Sequence, residues 1–245
     1  MIAVTFALPQ ESRAFRSRLH HFGQVGVAPA EYMIGNLGTE EVIVLHTGVG
    51  DDAATLRTET LLTMVRPRYL IAAGFAGALD PRLRVGDLVV ATNVSVPELR
   101  DRASALLDGE PGVFFGPIVG APFPVEEVSE KLELGRVSRG IAVDMETAAV
   151  FGAATRASVP FLAVRAISDA AEQPLPVPFA ECYDLDLQRP RPLALLRYLR
   201  RHPRRIIPFM RFVHGLRSGS TVLAEFLVRF IPAASRPEPF AAAPG

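Results

Sequence analysis

Val159–Ala171 reads VPFLAVRAISDAA, and its core, Phe161–Ala166, is apolar at every position except Arg165. A strand that alternates apolar and polar residues has one wet face, whereas a continuous apolar run is covered on both. The segment therefore predicts a buried strand between two layers of helix, with an acid, Asp169, just past its carboxyl end. Toward the N-terminus similar runs recur at Ile2–Ala7, Val42–His46, Tyr69–Ala73, Leu88–Asn93, Val113–Val119 and Ile141–Val143. Among them lie helical patterns at Gln10–Leu19, Asp51–Val65, Glu126–Leu134 and Met145–Ala157. Strands interleaved with helices predict an α/β domain with a mixed, mostly buried sheet flanked by helices.

Beyond this, a proline-rich connector, Pro174–Pro192, leads to three helical patterns at Leu193–Arg201, Pro208–Leu216 and Thr221–Ile231. Pro203 and Pro208 separate the first two, and Ser220 is a plausible N-cap for the third. The expected organisation is a catalytic domain over residues 1–173, then a connector and basic helical extension over 174–245, packed on or beside it. From Ala233 onward the composition reads as a disordered tail.

Of the 245 residues 49% are apolar, and the 26 basic side chains match the 26 acidic ones, which excludes global disorder. That balance hides an asymmetry. From Arg189 to Ile231 there are ten arginines and one acid, Glu225. Such a segment suits an anionic surface, and the arginines beside Ile206, Ile207, Phe209, Met210 and Phe212 suit peripheral contact with a membrane. The alternative is a packed apolar face with solvated arginines. Nucleic-acid binding has no aromatic stacking pattern behind it. A single cysteine, Cys182, leaves no internal disulfide and no Cys/His metal cluster, and the five histidines have no metal-ligand spacing. With no basic leader or apolar signal core in MIAVTFALPQESRAF, a cytoplasmic protein is expected, peripheral to the inner membrane if the basic helices bind it.

Three acids fall where α/β proteins build sites, just past strand ends: Glu11, Glu146 and Asp169. Singly, each reads as a helix cap or loop residue. Their surroundings say more. GFAGALDPRLRVGDLVV (Gly74–Val90), AVDMETAAV (Ala142–Val150) and VPFLAVRAISDAA resemble the nucleoside phosphorylases and methylthioadenosine/adenosylhomocysteine nucleosidases. TGVGDDAA (Thr47–Ala54) and ALPQE (Ala7–Glu11) are weaker matches in the same order. The resemblance spans roughly Ile2 to Ala171 and implies that family's three-layer fold with a mixed central sheet.

It also implies cleavage of an N-glycosidic bond through an oxocarbenium-like sugar. Asp169 would protonate the leaving purine, and Glu146 would accept hydrogen bonds from the ribose hydroxyls and favour the developing charge. Glu11 would orient or deprotonate the attacking water. Arg165 would hold one of these acids, or form a structural ion pair. Met145 would pack on the sugar, or simply in the core. Gly48 and Gly74 belong to glycine-rich turns beside the substrate. No metal or organic cofactor is implied, and a homo-oligomer is.

Two departures matter. Where the family often carries serine near the attacking water or phosphate, this chain has Phe75, which has no side-chain hydrogen-bonding group. The Gly48–Gly50 turn could cradle phosphate, but Asp51 and Asp52 would repel it. Phosphate as a cosubstrate therefore stays open beside water. Second, the segment between Val90 and Val113 is short, which suits a larger or protruding substrate. That short middle, GAPFP (Gly120–Pro124) and RPLALLRYLRRHPRRIIPFMRF (Arg191–Phe212) are similar to the hopanoid-associated phosphorylase group. This implies release of adenine from adenosylhopane, a lipid-linked nucleoside, with Phe123 near the base or ribose. A nucleosidase for small substrates such as methylthioadenosine, and a nucleoside- or lipid-binding protein without catalysis, are the alternatives.

Overall fold

A computed structural model describes residues 1–26, 31–185 and 187–235. In chain order the elements are β1 (Ile2–Phe6), α1 (Pro9–Arg16), β2 (His20–Val25), β3 (Tyr32–Leu37), β4 (Glu40–His46), α2 (Asp51–Met64) and β5 (Leu70–Ala78). They continue with β6 (Leu88–Ala91), α3 (Pro97–Leu106), β7 (Val113–Gly116), β8 (Ile118–Gly120), α4 (Val128–Ser138), β9 (Ala142–Asp144), α5 (Thr147–Arg156) and β10 (Phe161–Asp169). The last are α6 (Phe179–Cys182), β11 (Tyr183–Asp184), β12 (Arg189–Pro190), α7 (Pro192–Arg201) and α8 (Ile206–Ala234).

One mixed sheet organises the molecule, in the order β2-β3-β4-β1-β5-β10-β6-β7, with β9 pairing both β5 and β8. Its centre is parallel: β1 lies between β4 and β5, and β10 runs beside β5. Every residue of β1 and β10 is buried, as expected for a sheet covered on both faces. Alternate residues feed opposite cores. Leu162, Val164 and Ala166 join Phe15 of α1, Leu99 of α3 and Leu223 of α8. Phe161, Ala163 and Ile167 join Ala54 and Leu61 of α2 and Val150 of α5. The three-layer α/β architecture is thus present.

Local differences from the sequence reading have physical causes. Val113–Val119 is two short strands broken at Pro117, which cannot donate to a ladder. The polar β2, exposed along its length, and the ten-residue α3 were not expected. Most of all, Pro208–Leu216 and Thr221–Ile231 are not two helices but one, α8, of 29 residues. Pro208 sits in its first turn, where a missing N–H costs nothing. Ser220 is therefore not an N-cap but a mid-helix contact: its Oγ donates to the Glu11 carbonyl at 3.0 Å and accepts the Ala14 N–H at 3.3 Å. Gly219 permits this approach, since a Cβ there would stand 2.9 Å from the Phe75 ring. The C-terminal half of α8, through Leu223, Phe226, Leu227, Phe230 and Ile231, completes one of the two cores. The disordered tail expected from Ala233 does not begin there, since Ala233 and Ala234 still belong to α8; from residue 236 onward it lies outside the described residues.

Candidate active site

The register of β5 and β10 brings the pieces together. Arg165 lies opposite Gly74 and Asp169 opposite Gly77. β9 pairs with β5 on its other edge at Gly77 and delivers Asp144, Met145 and Glu146 to the same end. Glu11 arrives from α1, directly after β1. Glu11, Glu146 and Asp169 all line one cavity of about 310 Å³, with Phe75, Met145 and Phe123 in its wall.

Glu11 is a helix cap and a site residue at once. Its Oε2 accepts the Leu8 N–H at 2.8 Å, half of a capping box, and its Oε1 accepts the Phe75 N–H at 2.9 Å. Gly74 makes room, because a Cβ there would stand 3.0 Å from Glu11 Oε1 and 3.3 Å from Arg165 Nη1. Burial pushes the Glu11 carboxyl up, against the pull of the Leu8 and Phe75 N–H groups and the Arg165 charge.

The guanidinium of Arg165 is directed to other partners. Its Nε donates to Asp144 Oδ2 at 2.6 Å and its Nη2 to Thr147 Oγ1 at 2.8 Å. Thr147 also donates its own hydroxyl to Asp144 at 2.5 Å. Arg165 therefore makes a structural ion pair, but with Asp144 rather than with any of the three expected acids. Glu146 accepts the Gly50 N–H at 2.9 Å. Burial and the neighbouring Asp144 charge push its carboxyl up to about 8. Met145 is buried against Val49 and Tyr183 as well as facing the cavity.

Asp169 is held differently. Its Oδ2 is ion-paired with Lys131 Nζ and its Oδ1 accepts the Ser168 hydroxyl at 2.5 Å. Lys131 is wholly buried, and its other protons go to the carbonyls of Gln173 at 2.7 Å and Ala170 at 3.2 Å. Three donors meet three acceptors, so this lysine is completely satisfied.

The Gly48–Gly50 turn is already occupied. Gly48 N–H goes to the Ala7 carbonyl at 3.1 Å, Val49 N–H to Gln188 Oε1 at 2.7 Å and Gly50 N–H to Glu146. Gly48 adopts φ +78°, and a Cβ there would meet Gln188 Oε1 at 2.7 Å. Gln188 thereby ties the proline-rich connector to this turn, and within the connector Phe179 and Tyr183 stack at 5.1 Å. Phe123 lines the cavity but is 68% exposed at its rim. His46 stands apart from the acids, with Nε2 2.7 Å from Ser12 Oγ; burial, with Arg16 and Arg57 nearby, lowers it to about 4.

Sequence reasoning missed Lys131, Asp144, Thr147 and Gln188. Asp144 sits within AVDMETAAV and could have been read as a strand-end acid facing Arg165. Lys131 lies on a helix and Gln188 in the connector, and neither has a local signal.

A family model described as the phosphorylase superfamily matches residues 1–96 and 94–196. The 5′-methylthioadenosine/S-adenosylhomocysteine nucleosidase of Geobacillus thermodenitrificans is 30% identical over 207 residues, 73% of this chain and 88% of that protein. The enzyme of that name from Staphylococcus haemolyticus is 24% identical over 74% of this chain and 91% of its own. Among solved structures, the nucleosidase of S. pneumoniae with the transition-state inhibitor MT-ImmA superposes with TM-score 0.73 at 19% identity, covering 95% and 98% of the two chains. That of Neisseria meningitidis with methylthio-immucillin-A gives TM-score 0.72 at 20% identity, covering 94% and 97%. With its sheet order, its convergent acids and these similarities, the chain belongs to the phosphorylase superfamily.

Proposed function

We propose that this protein hydrolyses the N-glycosidic bond of an adenine nucleoside, in the manner of the methylthioadenosine/adenosylhomocysteine nucleosidases it is similar to. The observation that carries the reading is the convergence of Glu11, Glu146 and Asp169 on one cavity. Asp169 lines the cavity toward the leaving base and, in its protonated form, gives its proton to the ring nitrogen; the Lys131 ammonium then holds the carboxylate that is left. Glu146 in its ionised form accepts the ribose hydroxyls and offsets positive charge on the sugar. Glu11, raised by burial, takes a proton from water as its oxygen bonds to the anomeric carbon. The products are adenine and the free sugar.

Charge favours water over phosphate as the nucleophile. Glu11, Asp144, Glu146 and Asp169 are all buried here, against Arg165 and Lys131, and each of these cations already holds a carboxylate. The N–H groups of the Gly48–Gly50 turn and of Phe75 are also taken. A phosphate dianion would meet no cation without a carboxylate partner and few free donors. Adenine release from methylthioadenosine, with and without phosphate, tests this. Release that is independent of phosphate and lost in Asp169→Asn is expected, and strict phosphate dependence would reject hydrolysis.

A second reading rests on the wall that α8 adds. Phe212 and Leu216 face the cavity beside Phe75, Phe123 and Phe179, which suits a nucleoside carrying a bulky apolar group, such as adenosylhopane. A lipid-linked substrate in turn implies work beside a membrane, in contact with its surface. Comparing kcat/KM for adenosylhopane in detergent with that for methylthioadenosine separates the two readings, since a lower value for the lipid discards the second. We also infer a homo-oligomer, supported by Leu56 and Met64 of α2, which are left exposed; sedimentation as a monomer would refute it.

A further inference from the structure

The surface of α7 and the first turns of α8 differs from the rest of the molecule. Leu193, Leu196, Arg197 and Arg200 follow one another at helical spacing along the exposed stripe of α7. Ile207, Met210 and Arg211 form the same stripe on α8. Leu193 is 77% exposed, Ile207 64% and Met210 65%. No acid occurs between Leu187 and Ala224. Elsewhere several arginines are neutralised locally, as Arg82 is by Asp80, Arg136 by Glu133 and Arg156 by Glu59, while scattered ones such as Arg13 and Arg66 are not. Arg197, Arg200, Arg201 and Arg204 have no carboxylate partner among the described residues either, and they are clustered in a stretch without acids. Apolar side chains and guanidinium groups without a carboxylate partner thus lie together along each of the two successive helices.

That face adjoins the candidate active site. Just beyond Met210 in the same helix, Phe212 and Leu216 line the acid-bearing cavity. A second cavity of about 380 Å³ shares Ser168, Asp169 and Phe212 with it and reaches Arg205, Pro208 and Arg211 at the start of α8. Among the described residues no helix is long and apolar enough to cross a membrane, so contact with a bilayer here is interfacial.

We propose that α7 and the first turns of α8 are a docking face for an anionic lipid bilayer, with the cavity beside it. Apolar side chains enter the headgroup boundary while the arginines pair with lipid phosphates. Charge complementarity selects this occupant: the face is all cationic, and an apolar protein partner would leave its arginines buried and unpaired. The proposal deepens the reading of the site as one for a lipid-linked nucleoside and rests on that reading for its purpose, though its test does not.

The test is flotation of the full chain with equimolar phosphatidylcholine and phosphatidylglycerol vesicles, and with phosphatidylcholine alone. Binding to the anionic vesicles at low salt and release at high salt are expected. Arg200→Ser with Arg204→Ser should weaken partitioning by roughly thirtyfold. Ile207→Ser with Met210→Ser should weaken it by at least roughly tenfold. Both double variants should turn over methylthioadenosine in vesicle-free buffer at the wild-type rate. Absence of binding, equal binding to both lipids, or partitioning unchanged in both variants overturns the proposal. Tighter binding to a single-stranded RNA, or self-association abolished by Ile207→Ser, overturns it as well. If the wild type releases no adenine yet floats as expected, the catalytic reading fails and the docking face stands.

Discussion

The cavity has two acid clusters, and they are wired in opposite ways. On one side Glu11 and Glu146 lie near Arg165, but its ion pair is made with Asp144, and the two glutamates are left with backbone N–H partners. Burial without a direct cation raises both, Glu146 to about 8. On the other side Asp169 touches its own cation, the fully buried Lys131. The acids thus differ in whether a cation touches them or stands one residue away. The first arrangement raises both glutamates, which suits a base; the second joins one acid directly to a buried ammonium.

The largest effect expected is in the Lys131-held cluster. Asp169→Asn should lower kcat for adenine release by about 10²- to 10⁴-fold. A loss under tenfold would take Asp169 out of the chemistry and leave Lys131 a purely structural charge. Next, Lys131→Met strands Asp169 and the Ala170 and Gln173 carbonyls, and should cost about 3–5 kcal/mol in denaturant unfolding. If stability is unchanged, the ion pair is not the anchor described.

In the other cluster, Glu11→Gln should lower kcat about 10²- to 10³-fold. It should also lower Tm, because an amide NH2 would face either the Leu8 or the Phe75 N–H, donor against donor. A variant of wild-type Tm would show that both backbone contacts are dispensable. The smallest effect is at Glu146. Loss of its charge-assisted hydrogen bonds in Glu146→Gln should reduce kcat/KM roughly 10- to 100-fold. In the wild type the ionised form is required, so kcat/KM should rise with pH through about 8, a limb absent from the variant.

Stability should move the other way. A carboxyl raised from 4.5 to about 8 on folding favours the folded state below 4.5 and loses that contribution as pH rises through about 8. Tm should therefore decline across that window in the wild type and decline less in Glu146→Gln, by differential scanning calorimetry. Equal slopes would show that the carboxyl is not raised and would erase the contrast between the clusters.

How much was legible differs from element to element. The central strands announce themselves because both of their faces are buried, so most of their positions are apolar. Strand β2 is exposed along its whole length, and HHFGQV carries no alternation to detect. Glu11, Glu146 and Asp169 stand next to strand ends and inside recognisable motifs. Lys131 comes from the first turn of α4, 38 residues before the carboxylate it meets. A contact at that separation leaves no local pattern.

The sequence by itself determined the layered α/β architecture, the three acids and the basic character of the C-terminal segment, because periodicity, motif order and charge are local properties. It could not assign the apolar residues of that segment to a destination. Phe226 and Met210 belong to one helix, yet Phe226 is core and Met210 is exposed. Only the tertiary structure decided that, by bringing Gly219 against Phe75 and Ser220 against Glu11 so that the far half of α8 closes the core. The physical reason is that burial depends on what lies opposite a face, and what lies opposite is set by chain segments some two hundred residues away.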